Sequence, residues 1–148
     1  MIELHPMTRA HVRSVARLER DLFAEEPWSE HVLADELAAP GRYYVVALEE
    51  EQVVGYGGFA DFGTEAHVMT IGVRADRQRH GLGTRLLAGL LTEIDRRRIG
   101  RVLLEVATDN EAAKQLYTRH GFRPIGIRRN YYQATGTDAV VMERGGGQ

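Results

Sequence analysis

The stretch Gln78-Arg79-His80-Gly81-Leu82-Gly83-Thr84 lies between two runs of opposite character. Before it, His67 to Val73 is rich in β-branched residues and reads as a strand. After it, Leu82, Leu86, Leu87, Leu90, Leu91 and Ile94 recur at the 3.6-residue period of an amphipathic helix. A strand that turns through glycines into a helix makes the chain an α/β protein. The turn itself has chemistry. A helix start offers unbonded N–H groups and the positive end of the dipole. Glycine lacks a Cβ, so a phosphate can approach the backbone closely. Arg77, Arg79 and Arg85 add positive charge. The combination suits a pyrophosphate. The same glycines would equally permit a tight turn with no ligand. Two other nucleotide motifs fit poorly. The dinucleotide fingerprint needs glycine where Leu86 stands, and a glycine directly after the strand, whereas Arg74 to His80 intervene. The P-loop needs Gly-Lys-Ser/Thr, which does not occur.

Working outward, Thr8 can cap a helix to about residue 22, with Val12, Val15, Leu18 and Leu22 on one face. Ser29, in Pro27-Trp28-Ser29, can cap a second helix that Pro40-Gly41 stops. Tyr43 to Leu48 and Val53 to Phe62 read as strands on either side of a polar turn. After the central helix, Gly100 is expected as its C′ residue. Arg101 to Thr108 reads as a buried strand. Asn110 to His120 reads as a short helix, ended by Gly121 with Phe122 as the apolar contact. Phe122 to Ile127 and Ala139 to Met142 complete the strands. One mixed central sheet of about six to seven strands, flanked by about four helices, follows.

The 148 residues match one domain at roughly 100–200 residues per domain, expected over 1–144 with a flexible tail at 145–148. At 43% hydrophobic and 27% charged, the composition is that of a globular domain. There is no cysteine, which excludes disulfides, thiolate metal sites and an acyl-cysteine intermediate. The histidines show no metal-binding spacing, so no metal is expected. Neither Ser14 nor Ser29 sits in a nucleophile elbow. The net charge of −2 suggests no nucleic-acid partner. No apolar run approaches the ~20 residues that span a bilayer, and no signal peptide is expected. A cytoplasmic protein, monomeric or weakly dimeric, is the expectation.

Gln78-Arg79-His80-Gly81-Leu82-Gly83, Leu104-Glu105-Val106, Asn110, Leu116-Tyr117 and Gly121-Phe122 together resemble the GNAT superfamily of N-acetyltransferases. The likeness runs from about residue 2 to residue 143. Pro27-Trp28-Ser29, Arg128-Arg129-Asn130-Tyr131-Tyr132 and Asp138 to Met142 are similar to the bacterial ribosomal-protein-alanine N-acetyltransferase family. That resemblance implies a GNAT acyltransferase fold and acetyl-CoA as co-substrate. It implies acetylation of the N-terminal α-amine of a protein, an alanine of a small-subunit ribosomal protein, by direct attack in a ternary complex. The alternative acceptor is a small-molecule amine (a polyamine, an antibiotic or an amino acid), for which Glu25, Glu26, Glu30 and Asp35 near Trp28 could supply an acidic pocket.

The resemblance also assigns roles. Glu105 is the candidate general base, and its apolar flanks would raise its pKa if it is partly buried. An α-amine, with a pKa of about 7.7–8.0, asks only a modest base. Tyr117 is the candidate acid for the coenzyme thiolate. Asn110, Lys114 and Tyr117 share a helix face, by the i, i+4, i+7 rule, which can follow the pantetheine arm. Coenzyme contacts are expected along the backbone at Met69, Ile71 and Val73, and from Gln78, Arg79, His80, Gly81, Leu82, Gly83 and Thr84. Trp28, Glu105, Tyr131 and Tyr132 are expected to shape the acceptor groove. The chain departs from the family in carrying Gly72 where alanine is usual and Ala107 where arginine is common.

Overall fold

A computed structural model describes residues 1–145 of the chain. The elements run β1 (Ile2–Pro6), α1 (Val12–Leu22), α2 (Glu30–Ala38), β2 (Arg42–Glu49), β3 (Gln52–Asp61), β4 (Ala66–Val73), α3 (Leu82–Arg96), β5 (Arg101–Ala107), α4 (Glu111–Arg119), β6 (Arg123–Tyr132) and β7 (Thr137–Gly145). Short 3-10 turns at Arg9–His11 and Ala75–Arg77 precede α1 and α3. All seven strands form one sheet in the order β1-β2-β3-β4-β5-β7-β6. Every neighbouring pair is antiparallel except β4 and β5.

The strand β1 has no counterpart among the elements expected above. Its alternation of Ile2 and Leu4 with Glu3 and His5 is the period-2 signal, but it is only 5 residues long. Ile2 and Leu4 pack on the main core, and β1 pairs with β2 at the sheet edge. The last two strands are longer than expected. Gly145 is the final residue of β7, opposite Arg101, so ordered chain continues one residue beyond 144. The rest of the expected tail, 146–148, lies outside the described residues.

Helix ends show where glycine was and was not needed. The short helix α4 ends as expected. Gly121 has φ +90°, the Phe122 N–H donates to the Tyr117 carbonyl and the Gly121 N–H to the Thr118 carbonyl. That is a Schellman closure with Phe122 as its apolar contact. The central helix ends at Arg96, four residues before Gly100, and its left-handed residue falls two before that glycine. Arg98 takes the left-handed position at φ +60°, with Arg98 N–H to Asp95 O and Ile99 N–H to Ile94 O. Ile99 is buried and supplies the contact that closes this end, which offsets the steric cost at Arg98.

Two cores sandwich the sheet. One gathers Leu82, Leu86, Leu87, Leu90, Leu91 and Ile94 of α3 against Val54, Phe59, Val68, Val102, Leu104 and Met142, with Ala113, Leu116 and Tyr117 of α4 at its border. The other gathers Val12, Val15, Leu18 and Leu33 from α1 and α2 against Tyr44, Val46 and Tyr56. Among the described residues no helix is long and apolar enough to cross a membrane.

Candidate active site

The parallel pair β4–β5 opens almost as soon as it forms. Only Ala66↔Val102 and His67↔Leu103 are in register, although β4 runs on to Val73 and β5 to Ala107. Beyond His67, β4 keeps β3 on one side and has no strand partner on the other. Its backbone N–H and C=O groups from about 69 to 73 therefore face an opening in the sheet, where they need partners. A bulge marks the point of departure: β3 and β4 slip register between Gly58 and Phe59, which leaves Met69 unpaired. The bulge also divides the three residues expected to act together. Met69 packs with the α1–α2 core, whereas Ile71 and Val73 pack with the α3 core.

The loop closes the far end of the opening. Gln78 folds back along the loop and its Nε2 donates to the Val73 carbonyl at 3.0 Å. Arg79 and Gly81 both have positive φ, +67° and +82°. Gly81 is the N-cap of α3 and makes no side-chain cap. A Cβ built on Gly81 would meet nothing within 4 Å, so it faces open space. The first N–H groups of α3, at Leu82, Gly83 and Thr84, are thus left to an external acceptor. Gly83 lies close to Val73 and Leu116, with a built Cβ 4.0 Å and 3.7 Å from them, so the loop bridges β4 and α4. Two of the three arginines expected around the loop are engaged elsewhere. Arg77 pairs with Glu49 at 2.6 Å, and Arg85 donates to the Ile2 carbonyl at 3.0 Å. Arg79 and His80 remain exposed beside Gly81.

On the other wall, Glu105 sits mid-β5 with about a fifth of its side chain exposed, 20%, so the apolar flanks do not fully enclose it. Arg128 of β6 approaches its carboxylate at 3.7 Å and lies over the Tyr131 ring, 4.8 Å from the centroid. Tyr131 and Tyr132 stand edge to face at 5.0 Å. They reach this wall because β6 is irregular between Arg128 and Tyr132: Asn130 takes φ +53° and its N–H donates to Asp138 Oδ1 at 2.8 Å. Burial raises the Tyr131 pKa, with the Glu105 charge adding to it. Burial pushes the Tyr132 pKa up to about 12, followed by the charges of Tyr131, Glu105, Glu26 and Asp109.

Tyr117 is held by the closure of α4, its ring 5.8 Å from Phe122. Burial pushes its pKa up to about 12, so the phenol keeps its proton at neutral pH. Asn110 and Lys114 have structural partners. Asn110 Oδ1 caps α4 by accepting from the Ala113 N–H at 3.1 Å, and Lys114 Nζ donates to the Thr108 carbonyl at 2.7 Å. Trp28 is half-buried, its ring tilted against that of Tyr44 with centroids 6.5 Å apart. The carboxylates near it are dispersed: Glu26 accepts from the Ala134 N–H at 2.9 Å, and Asp35 faces His31 at 3.3 Å. Among the described residues no histidine and carboxylate cluster could hold a metal ion.

One family model, that of the acetyltransferase (GNAT) family, matches residues 12–122. The chain belongs to this family. It is 42% identical, over 99% of its length and 94% of the relative's, to N-alpha-acetyltransferase RimI of Mycobacterium tuberculosis. It is 37% identical to the [ribosomal protein bS18]-alanine N-acetyltransferase of Escherichia coli, over 78% of this chain and 79% of that one. The crystal structure of the ribosomal-protein-S18-alanine N-acetyltransferase from Escherichia coli superposes with a TM-score of 0.90 at 29% identity, covering 98% of this chain and 94% of that one.

With the GNAT fold in place, Glu19 and Tyr56 emerge as site neighbours that the sequence reading passed over. Glu19 lies on α1, buried at 2% exposure, with its carboxylate against β3 and β4. The signal was its phase: it falls on the apolar stripe of Val12, Val15, Ala16 and Leu18, where a charge is out of place.

Proposed function

We propose that the protein transfers an acetyl group from acetyl-CoA to the N-terminal α-amine of a protein, an N-terminal alanine of a small-subunit ribosomal protein, by direct attack. The observation that carries this reading is the opening between β4 and β5, with Glu105 on one wall and the uncapped start of α3 at its end. The acceptor class rests on the two relatives' names. The coenzyme fits the residues present: Gly81 leaves clear space and α3 leaves N–H groups that suit a pyrophosphate. When bound, the coenzyme supplies an activated thioester.

The chain's own residues do the rest. The backbone of β4 from 69 to 73 offers amides for an extended arm. Gln78, by holding the Val73 carbonyl, sets the angle between β4 and the loop. Asn110 and Lys114 act on the coenzyme side chiefly by fixing α4, since their polar atoms hold the helix start and the end of β5. Glu105 Oε accepts the proton of the attacking ammonium, directly or through a water. Burial pushes Tyr117 up to about 12, so the phenol is protonated at neutral pH and would be the acid that donates to the departing sulfur. Tyr131 and Tyr132 form a rigid side wall beside Glu105, and Trp28, in the loop between α1 and α2, packs near Tyr44.

Mass spectrometry tests the reading: acetyl-CoA with a peptide beginning in alanine, beside the same peptide with a blocked N-terminus. Acetylation of the free peptide alone is the expected result. Acetylation of neither, with coenzyme bound, would overturn the acceptor class.

A further inference from the structure

Three hydrogen bonds from three parts of the chain converge on the buried carboxylate of Glu19. Oε1 accepts from the Trp28 backbone N–H at 2.9 Å. Oε2 accepts from the Tyr56 hydroxyl at 2.5 Å and from the Thr70 hydroxyl at 3.2 Å. All three partners are neutral. A buried carboxylate without a cation is a poor way to stabilise a fold, and an apolar side chain of similar volume often does as well or better. What an apolar residue could not do is accept three donors at once and so hold their elements in register.

Two of those elements border the proposed site, β4 directly and the Trp28 loop through its contact with the β6–β7 turn. Thr70 directly follows the unpaired Met69, on the part of β4 that has left β5. Trp28 belongs to the loop between α1 and α2, and the adjacent Ser29 caps α2 by accepting from the Val32 N–H. The same loop reaches across to the β6–β7 turn, where Glu26 accepts from the Ala134 N–H two residues after Tyr132. A continuous path therefore runs from the coenzyme strand, through Glu19, to the loop and on to the tyrosine wall.

We propose that Glu19 is a positioning residue for the acceptor, fixing the Trp28 loop against β4 so that the two walls of the groove keep their separation. The kinetic part of this proposal rests on the acetyltransferase reading above. Its structural part does not.

The chemistry of the donors makes the variants informative. A glutamine at position 19 can turn its carbonyl to the Trp28 N–H and its amide to the two hydroxyls, which can rotate to accept. Glu19→Gln should therefore hold the loop. Glu19→Ala leaves the Trp28 N–H, which cannot rotate, without its acceptor. The expected result for Glu19→Ala is a rise of about tenfold in KM for the alanine peptide, with coenzyme Kd within about twofold of wild type, and recovery in Glu19→Gln. Trp28 is the only tryptophan, so fluorescence reports on the loop directly. Its quenching by acrylamide should increase in Glu19→Ala and return to normal in Glu19→Gln.

A folded Glu19→Ala with wild-type peptide KM and wild-type quenching would overturn the proposal. So would an equal loss of coenzyme and peptide affinity, which marks a general defect. Should Glu19→Ala not fold, Thr70→Val removes the β4 donor alone at constant shape, and unchanged quenching and KM there would overturn it as well. If the wild type acetylates no peptide, the acceptor reading fails, and the quenching comparison still decides the role of Glu19.

Discussion

A single methyl group added at Gly72 should cost the protein about 2–3 kcal/mol. A Cβ built there would lie 2.5 Å from both Cζ and Oη of Tyr56 and 2.7 Å from Cε1. Carbon atoms pack best at about 3.5–4.0 Å, so the ring must move by about 1 Å. Tyr56 is 0% exposed. Any shift also strains its 2.5 Å hydrogen bond to Glu19. Overpacking a core costs roughly 1–3 kcal/mol, and a hydrogen bond to a charged group is worth roughly 1.5–3 kcal/mol. One displacement does both, so the two overlap rather than add. Backbone entropy alone predicts the opposite sign, a gain of roughly 0.4–1 kcal/mol for glycine to alanine in extended backbone. Urea denaturation of Gly72→Ala, followed by circular dichroism, separates the two. Gly126→Ala is the control, because a Cβ there would meet nothing within 4 Å, and it should change stability by no more than about 0.5 kcal/mol. The thermal midpoint of Gly72→Ala should fall at about 2–4 °C per kcal/mol. A neutral or stabilised Gly72→Ala would refute the packing of Tyr56 against β4, and the link from Glu19 to β4 would weaken with it.

Glu105→Gln should lower kcat for the alanine peptide by about 10²–10⁴ at pH 7, with the deficit shrinking toward pH 9 as the acceptor amine loses its proton unaided; a pH-independent deficit in steady-state rates would count against a base role. Tyr117→Phe should lower kcat while coenzyme Kd, read by calorimetry, stays unchanged. Because burial pushes Tyr117 up to about 12, wild-type kcat should show no alkaline limb from this residue below about pH 11. Stability should fall at both ends of the pH range. Arg96 and then Arg97 hydrogen-bond Glu93 and lower its pKa to about 2, and Arg101 and Arg123 lower that of Glu143, so the stability these carboxylates add above their ordinary values is lost as pH falls toward 2. Burial raises Tyr44, Tyr56, Tyr117 and Tyr132, so stability present below pH 10 is lost as pH rises toward 12. Denaturant midpoints across pH 2–12 check both limbs.

Much of this molecule is legible along the chain because the deciding signals are local. The stripe from Leu82 to Ile94 specifies α3 whatever it packs against, and Gly121 before Phe122 specifies the end of α4, since left-handed backbone is cheapest for glycine. The glycine turn at 81–83 could be picked out by pattern, whereas Glu105 and Tyr117 stood out through the resemblance to the acetyltransferases. Other features depend on partners far away in sequence. Arg98 could replace Gly100 as a C′ residue only because Ile99 finds a place in the core. Arg77 and Arg85 looked like part of a phosphate site until Glu49 and the Ile2 carbonyl took them. No pattern within β4 reveals that it leaves β5 after two pairs, because strand separation is a property of two segments and of the helices beneath them. The sequence alone determined the four helices, six of the seven strands, their order and the residue types that acetyl transfer needs. The tertiary structure decided which of those residues are available and what holds them apart. A carboxylate like Glu19 looks the same on any helix, and only the donors brought to it across 9, 37 and 51 residues of chain make it part of the site.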